Sequence, residues 1–171
     1  ISGNIKMTGI FLRAQSQVLI SEASLHIDNS WTDFQWRRHR NPLAAFAVHD
    51  RSRAFKNLLI TGSEVIITTS FKYRGLLADE LTITDGSRVT VLDTSCGYEA
   101  EAGGMGGALF ADTLRVANHS ALGVFNSAAS FGGAVMAKEE ITVSDFSQLH
   151  VVNSTATYEG GAIRSRALIV K

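Results

Sequence analysis

The chain has 171 residues, 45% of them hydrophobic, and its 16 basic and 16 acidic side chains give a formal net charge of zero. This balance removes any global electrostatic argument for binding nucleic acid or an anionic membrane. The sequence contains no apolar run long enough to predict a membrane-spanning segment. Cys96 is the only cysteine, which excludes an internal disulfide.

One pattern of alternate residues recurs along the chain, and each copy starts with a small residue followed by two apolar residues and a polar one. Successive side chains of a strand point to opposite faces, so each copy predicts a short strand with one buried side. Alternation this short and strict argues against a helix. The copies are Ala23/Leu25/Ile27/Asn29, Ser63/Val65/Ile67/Thr69, Ser87/Val89/Val91/Asp93, Ser120/Leu122/Val124/Asn126 and Ser147/Leu149/Val151/Asn153.

An apolar pair precedes every copy and predicts another strand in each repeat. The spacing between copies varies while the strand pattern stays constant, which indicates that insertions are confined to turns. The serines that open four of the copies are predicted to form a packed column and not to act as nucleophiles. The pairs are Val18/Ile20, Leu58/Ile60, Leu81/Ile83, Leu114/Val116 and Ile141/Val143, with a further pair, Leu168/Val170, near the end of the chain.

Three tetrapeptides mark the start of a further strand in the second half of the chain. Residues 106–109, 132–135 and 160–163 each read Gly-Gly-Ala followed by Leu, Val or Ile. Self-similarity at this period is typical of a solenoid, in which each unit hides its apolar face by stacking on its neighbours. Crossovers between parallel strands are overwhelmingly right-handed. The sequence therefore predicts an all-β, right-handed parallel β-helix, a single-stranded solenoid with three short strands per coil.

The predicted domain organisation is one β-helix segment over residues 1–171, with about six partial or complete coils and an insertion at 31–57. Both ends of the chain fall inside coils and carry no polar cap. Terminal repeats of a solenoid need such caps. We therefore expect a piece of a longer chain, or caps supplied by partners.

Turn residues separate the predicted strands. Gly62, Asp85-Gly86 and Asn118 precede the third strand of their coils, where a positive φ is cheap only for residues such as Gly and Asn. The column that ends each third strand has inward parity, which predicts a buried ladder of hydrogen-bonded amides. Its members are Asn29, Asn126 and Asn153, and we expect interruptions at Thr69 and Asp93.

The insertion is the one irregular stretch, and it holds the candidate interaction residues. Inside it, residues 43–48 resemble a first strand, so two loops, 31–42 and 49–57, are expected to flank that strand. Arginine beside tryptophan can bind carboxylates, phosphates or sugars through forked donors and stacking. A solvated surface loop, a protein contact and a polyanion site are the three interpretations. The candidates are Trp31, Trp36, Arg37, Arg38, Arg40, Arg51 and Arg53.

Acidic residues recur at the corner between the first and second strands: Asp79-Glu80, Asp112 and Glu139-Glu140. Carboxylates in a row are hard oxygen ligands that Ca²⁺ accepts. The same pattern suits a solvated acidic edge relieved by Lys138 and Arg166, and we favour that interpretation. The sequence offers no catalytic, cofactor or metal constellation. The outward positions of the first strands, Phe110, Met136 and Arg164, supply no carboxylate pair for glycoside hydrolysis.

The Gly-Gly-Ala motifs, together with a preceding Asn-Ser-x-Ala, resemble the repeats of the polymorphic outer-membrane proteins first known from chlamydiae. Residues 126–135 and 153–163 carry the match. The resemblance implies the β-helical passenger of an autotransporter, displayed on the outer surface of a cell and implicated in adhesion. Similar repeats occur in β-helical proteins of microbial eukaryotes, so an organellar or assembly-bound location is the alternative.

Together these observations predict a non-enzymatic scaffold or surface-displayed, adhesin-like β-helix that mediates protein–protein contacts. Its partners would be other proteins or a larger assembly, with no nucleic acid and no cofactor, and with a carbohydrate as a further ligand. The alternative is a carbohydrate-active, pectin-lyase-like β-helix whose catalytic coils lie outside this segment.

Overall fold

The computed structural model describes residues 2–8, 12–14, 17–29, 44–48, 57–69, 74–96 and 106–171. Over these residues the protein is all-β, as predicted, and every strand pairing is parallel. The strands are β1 Gly3–Thr8, β2 Leu12–Ala14, β3 Val18–Ser21, β4 Ala23–Asn29, β5 Ala44–Val48, β6 Asn57–Thr61, β7 Glu64–Thr69, β8 Arg74–Ala78, β9 Glu80–Thr84, β10 Arg88–Leu92, β11 Ser95–Cys96, β12 Leu109–Val116, β13 Ala121–Phe125, β14 Ala128–Phe131, β15 Val135–Val143, β16 Gln148–Val152, β17 Thr155–Glu159, β18 Ile163–Arg164 and β19 Ala167–Val170.

The strands form three sheets in which a strand lies beside its counterpart from the next repeat. Sheet A has the order β1-β4-β7-β10-β13-β16, and sheet C has the order β11-β14-β17. Sheet B runs β2-β5-β8-β12-β9-β6-β3, and β15 adds to β12. The long strand β12 pairs with β8 through Leu109 and Phe110, and with β9 from Thr113 onward. It therefore combines two strands that are separate in the earlier repeats.

The predicted apolar columns exist and are in register. In sheet A, Leu25 aligns with Val65, Val89, Leu122 and Leu149 in turn. In sheet B the apolar pairs align in the same way, from Val18 through Leu58, Leu81, Leu114 and Ile141 to Leu168. The central members are at most 1% exposed. One continuous core therefore runs through all the described repeats.

Burial weakens at the last repeat. Leu122 and Val124 are fully buried, but Leu149 and Val151, in the same two columns, are only partly buried. The alternation predicts a buried side for both strands, and for Leu149 and Val151 that burial is only partial. Among the described strands, β16 pairs with β13 alone. A side chain in a column is covered by a neighbour on each side, and β16 has such a neighbour on one side only.

The serine column is packed, as predicted. Ser63, Ser87 and Ser120 are at most 5% exposed. Each accepting hydroxyl belongs to the following repeat: Ala23 N donates to Ser63 Oγ at 3.1 Å, Ser63 N to Ser87 Oγ at 3.2 Å, and Ser120 N to Ser147 Oγ at 3.1 Å. Buried amides that the strand ladder leaves unpaired at the corner are satisfied in this way.

Positive φ angles occur at the predicted corners. They are 54° at Gly62, 56° at Asp85, 74° at Gly86 and 54° at Asn118. Two consecutive positive values recur in the later repeats, at Asn118-His119 and at Asp145-Phe146, where φ is 55° and 58°. The His119 and Phe146 rings stack with centroids 5.4 Å apart.

The amide column at the strand ends departs from the prediction. Asn153 Nδ2 donates to Asn126 Oδ1 at 3.3 Å, and Asn126 Nδ2 donates to Asp93 Oδ1 at 2.9 Å. The ladder therefore includes Asp93, and the predicted interruption there is wrong. All three side chains are exposed, so the inward orientation is also wrong. Their φ angles of 51° to 55° end the strand alternation on which the parity argument depends. The side chains of Asn29 and Thr69 lie outside the described residues.

The two glycines of the Gly132-Gly133 corner have different steric requirements. Gly132 has a φ of 58°, which side chains rarely adopt. Gly133 instead lies against the next repeat: a Cβ there would be 2.2 Å from the carbonyl oxygen of Thr155 and 2.3 Å from that of Gly161. Backbone atoms of a neighbouring strand cannot move aside as a flexible side chain can. The second glycine therefore permits the close approach of two repeats.

Gly133→Ala is expected to lower the free energy of unfolding by about 3 kcal/mol or more, because it overpacks a backbone contact. The matched control is Gly161→Ala. Gly161 meets no atom within 4 Å of an added Cβ, so only its positive φ is penalised, by about 1 kcal/mol. Urea unfolding followed by circular dichroism measures both. Equal midpoints for the two variants would contradict the steric explanation.

Leu122→Ala and Leu149→Ala test the column itself with the same chemical change. Removing the fully buried Leu122 side chain is expected to cost about 2–5 kcal/mol. The half-buried Leu149 loses less apolar area and should cost clearly less. If Leu149→Ala proved as destabilising as Leu122→Ala in urea unfolding, the one-sided packing of β16 would be incorrect.

Candidate functional site

The interaction residues predicted from the sequence, Trp31, Trp36, Arg37, Arg38, Arg40, Arg51 and Arg53, lie outside the described residues. The strand predicted between the two loops is present as β5. It pairs with β2 through Phe46 and Leu12, and with β8 through Phe46 and Leu76. Phe46 therefore occupies the column that continues to Leu109 in β12.

Within the described part of the chain, a polar groove lies on the outer face of sheet B. Its volume is about 550 Å³. Two rows of side chains cross it, one residue from each of three neighbouring strands. Register places Glu80 beside Thr113 and Thr113 beside Glu140, and it places Thr82 beside Arg115 and Arg115 beside Thr142. The rest of its lining is Leu81, Leu114, Ser144, Asp145 and Lys171.

Strand alternation explains why these side chains face outward. The pairs Leu81/Ile83, Leu114/Val116 and Ile141/Val143 point into the core, so the residues between and before them point away from it. The backbone amides and carbonyls of the strands are engaged in the parallel ladder. A molecule in the groove would therefore meet side chains and few main-chain groups.

A second hollow of about 330 Å³ adjoins the first and shares Glu80 and Thr82 with it. Leu19 and Leu59 line this end and are 50% and 37% exposed. Asn57 lines it as well, and its buried Oδ1 has no hydrogen-bond partner. The two hollows together cross β3, β6, β9, β12 and β15, a distance of about 20 Å at the usual strand spacing.

Both rows of side chains that cross the groove are polar. Glu140 Oε1 accepts a hydrogen bond from Thr142 Oγ1 at 2.5 Å. Arg115 is exposed, and its guanidinium has no ion pair among the described residues. The sequence pattern predicted that Glu80 and Glu140 lie at a corner, and the row that they form with Thr113 was not predicted. The signal was available, because both share outward parity with Thr82 and Thr142.

Two other acidic residues of the corner, Asp112 and Glu139, form ion pairs. Lys138 Nζ lies 2.5 Å from Asp112 Oδ1, and Arg166 Nη1 lies 2.7 Å from Glu139 Oε2. Lys138 and Arg166 therefore relieve the acidic edge, as predicted. Across the described ranges, no three His, Cys, Asp or Glu side chains converge in a way that could hold a metal ion.

A small apolar cluster covers the outer face of the first strands. Leu77, Phe110 and Met136 are 5–8% exposed, and Phe131 packs against them. Arg164 lies over the Phe131 ring at 5.0 Å and pairs with Glu159 at 2.8 Å. Strand parity predicts outward positions for Phe110 and Met136, but it does not predict their burial there. Three large apolar residues at one outward register position were the signal.

Asp85 links three repeats through its carboxylate. Thr61 Oγ1 donates to Oδ2 at 2.8 Å, and Asn118 Nδ2 donates to Oδ1 at 3.0 Å. These two hydrogen bonds, with a weaker one from Thr84, hold the pKa of Asp85 below its ordinary value. The carboxylate is solvent-exposed, so it is a surface clamp between repeats.

The sequence matches no family model, no curated protein and no solved structure at a significant level. The described residues include no helix that is long and apolar enough to cross a membrane.

Asp85→Asn should make the protein less stable in a pH-dependent way. Because the folded pKa is lowered, the carboxylate contributes stability above the ordinary carboxyl pKa of about 3.9. That contribution is lost as the pH falls through the folded value. The difference in urea midpoint between wild type and variant should be constant near neutral pH and shrink below pH about 4.

Direct measurement of the Asp85 pKa by NMR provides the control. Thr61→Val removes the donor with the largest effect and should move the pKa of Asp85 back toward its ordinary value. An unchanged pKa in Thr61→Val would contradict the assignment of the cause.

Proposed function

We propose that this chain is a right-handed parallel β-helix that acts as a non-enzymatic scaffold for protein–protein contacts. The observation that carries the proposal is the register of the apolar columns through successive repeats, from Leu25 to Leu149 and from Val18 to Leu168. A repeat that buries its apolar face only against its neighbours forms a stiff, elongated body. Such a body suits the display of contact surfaces at fixed distances.

The right hand of the proposed helix follows from general chain geometry. Each strand of sheet A is separated from its parallel neighbour by a long connection that passes through sheet B, and in the later repeats through sheet C as well. Connections of this kind between parallel strands are right-handed in nearly all proteins. In the later repeats sheet B holds the first and second predicted strands, which are continuous in β12 and β15, and sheet A holds the third. Sheet C adds a further short strand that the sequence pattern did not predict.

We place the protein contact in the insertion at 31–57. In the sequence its two loops lie directly before and after β5. Tryptophan and arginine are enriched among the residues that dominate interface energies, and this segment holds Trp31, Trp36 and five arginines. The resemblance to surface-displayed repeats favours an extracellular location, with an organellar assembly as the alternative.

The double variant Trp36→Ala/Arg38→Ala tests this contact. Association with captured partner proteins is expected to weaken by about 2–4 kcal/mol in total. The thermal melting temperature should stay the same, because the columns that form the core are unchanged. Affinity capture on the immobilised chain with quantitative mass spectrometry measures the first effect, and circular dichroism the second.

The matched control is Arg88→Ala/Phe146→Ala, which removes an exposed arginine and an exposed aromatic ring from the stack itself. Phe146 is 86% exposed, and Arg88 is also exposed. This control should retain the partners of the wild type. If both double variants retained the partner proteins equally, the insertion would be a solvated surface loop and not the contact site.

A further inference from the structure

We infer that the groove on the outer face of sheet B binds a neutral oligosaccharide in an extended conformation. This inference goes beyond the protein contacts proposed above and does not depend on them, because the groove lies on the strands and not in the insertion. Four features of the groove carry it: its length, its donors and acceptors, its charge, and one unsatisfied buried oxygen.

The length of the groove suits a linear chain. Hollows of about 550 and 330 Å³ share Glu80 and Thr82 and follow one another across neighbouring strands. Pockets for single small molecules are usually single concave cavities. Here the outer face offers a run of about 20 Å, with outward side chains from neighbouring strands about 4.8 Å apart. A polymer with a short repeat can place one unit near each strand along such a surface.

The chemistry of the groove favours hydroxyl groups over a peptide backbone. An extended peptide gains its affinity by adding to a sheet edge through main-chain hydrogen bonds. The face of sheet B cannot provide them, since its amides and carbonyls are used between strands. Side chains that can pair with hydroxyls are present instead: Glu80 accepts, Arg115 donates, and Thr82 does either. A hydroxyl both donates and accepts, so it can use all of them.

The charge of the groove argues against a polyanion. Its lining carries three carboxylates, those of Glu80, Glu140 and Asp145, against the two cations Arg115 and Lys171. The row of Glu80, Thr113 and Glu140 lies directly beside the row that holds Arg115. A chain with a carboxylate on every unit would meet like charge at each end of the first row. A neutral chain avoids this repulsion and can accept hydrogen bonds from the Arg115 guanidinium.

The second hollow adds an apolar surface and an unsatisfied acceptor. Leu19 and Leu59 are exposed there, and the carbon-bound face of a sugar ring can cover them. Asn57 Oδ1 is buried without a hydrogen-bond partner. Such an atom carries a desolvation penalty until it is paired. A ligand hydroxyl placed in this hollow would supply the missing donor.

Calorimetric titration of the whole chain tests the inference. The probes are four neutral hexasaccharides (cellohexaose, xylohexaose, maltohexaose and chitohexaose), polygalacturonate as the anionic chain, and a lysine-rich peptide. At least one neutral hexasaccharide should bind. In ¹⁵N-resolved spectra, it should shift the amides of residues 80–82, 113–115 and 140–144. No binding by any neutral probe, or tighter binding of polygalacturonate or of the peptide, would overturn the inference.

Two variants and a control locate the binding. Arg115→Ala removes the central donor and should weaken the neutral hexasaccharide by about tenfold or more. Thr82→Val keeps the shape of the side chain and removes one hydroxyl. This variant tests the same site if Arg115→Ala fails to fold. Arg88→Ala, an exposed arginine on sheet A, should bind as the wild type does. Unchanged affinity in both groove variants would show that the sugar binds elsewhere and would refute the site.

Discussion

The spacing of parallel strands, about 4.8 Å in the hydrogen-bonding direction, is the constraint on which the rest of this structure depends. At that spacing each inward side chain lies against its counterpart in the next repeat. The side chains of one column must therefore pack against one another or pair through hydrogen bonds. Leu25 through Leu149 satisfy this with aliphatic side chains, and the serines satisfy it with hydroxyls that accept from the preceding repeat. The same distance leaves no room for a Cβ at Gly133.

The outer face follows a different rule, although the same register governs it. Neighbouring outward side chains are also about one strand spacing apart, but solvent can fill the space between them. Glu80, Thr113 and Glu140 therefore share a row without the uniformity that the core requires. Where the outward residues are large and apolar, as at Phe110 and Met136, they bury one another instead. Residues of the outer rows can thus vary to suit a ligand, while residues of the inner columns stabilise the fold.

The limits of sequence-based prediction follow from the same geometry. The columns that contain Leu122 and Val124 were predictable because alternation and repetition both report on a buried face. The exposure of Asn126 was not, because a positive φ ends the alternation at that residue. The partial burial of Val151 depends on which strands flank β16. The groove was not predicted because outward parity indicates only a solvated face and does not distinguish a groove from a flat surface. The insertion candidates lie outside the described residues.

A bulge in the pairing of the two longest strands, β12 and β15, lies between two parts of the outer face of sheet B. Pairing of β12 with β15 shifts register between Ala111 and Thr113, and the amides of Asp112 and Thr113 both donate to the carbonyl oxygen of Asp79, at 2.8 and 3.0 Å. Bulges of this kind bend a strand and re-aim its side chains. On one side of the bend the outer residues close into the Phe110 cluster; on the other they open into the groove. The ion pair between Lys138 and Asp112 lies at the bend itself. A carboxylate of the acidic corner is therefore paired at the point where the buried outer cluster ends and the open groove begins.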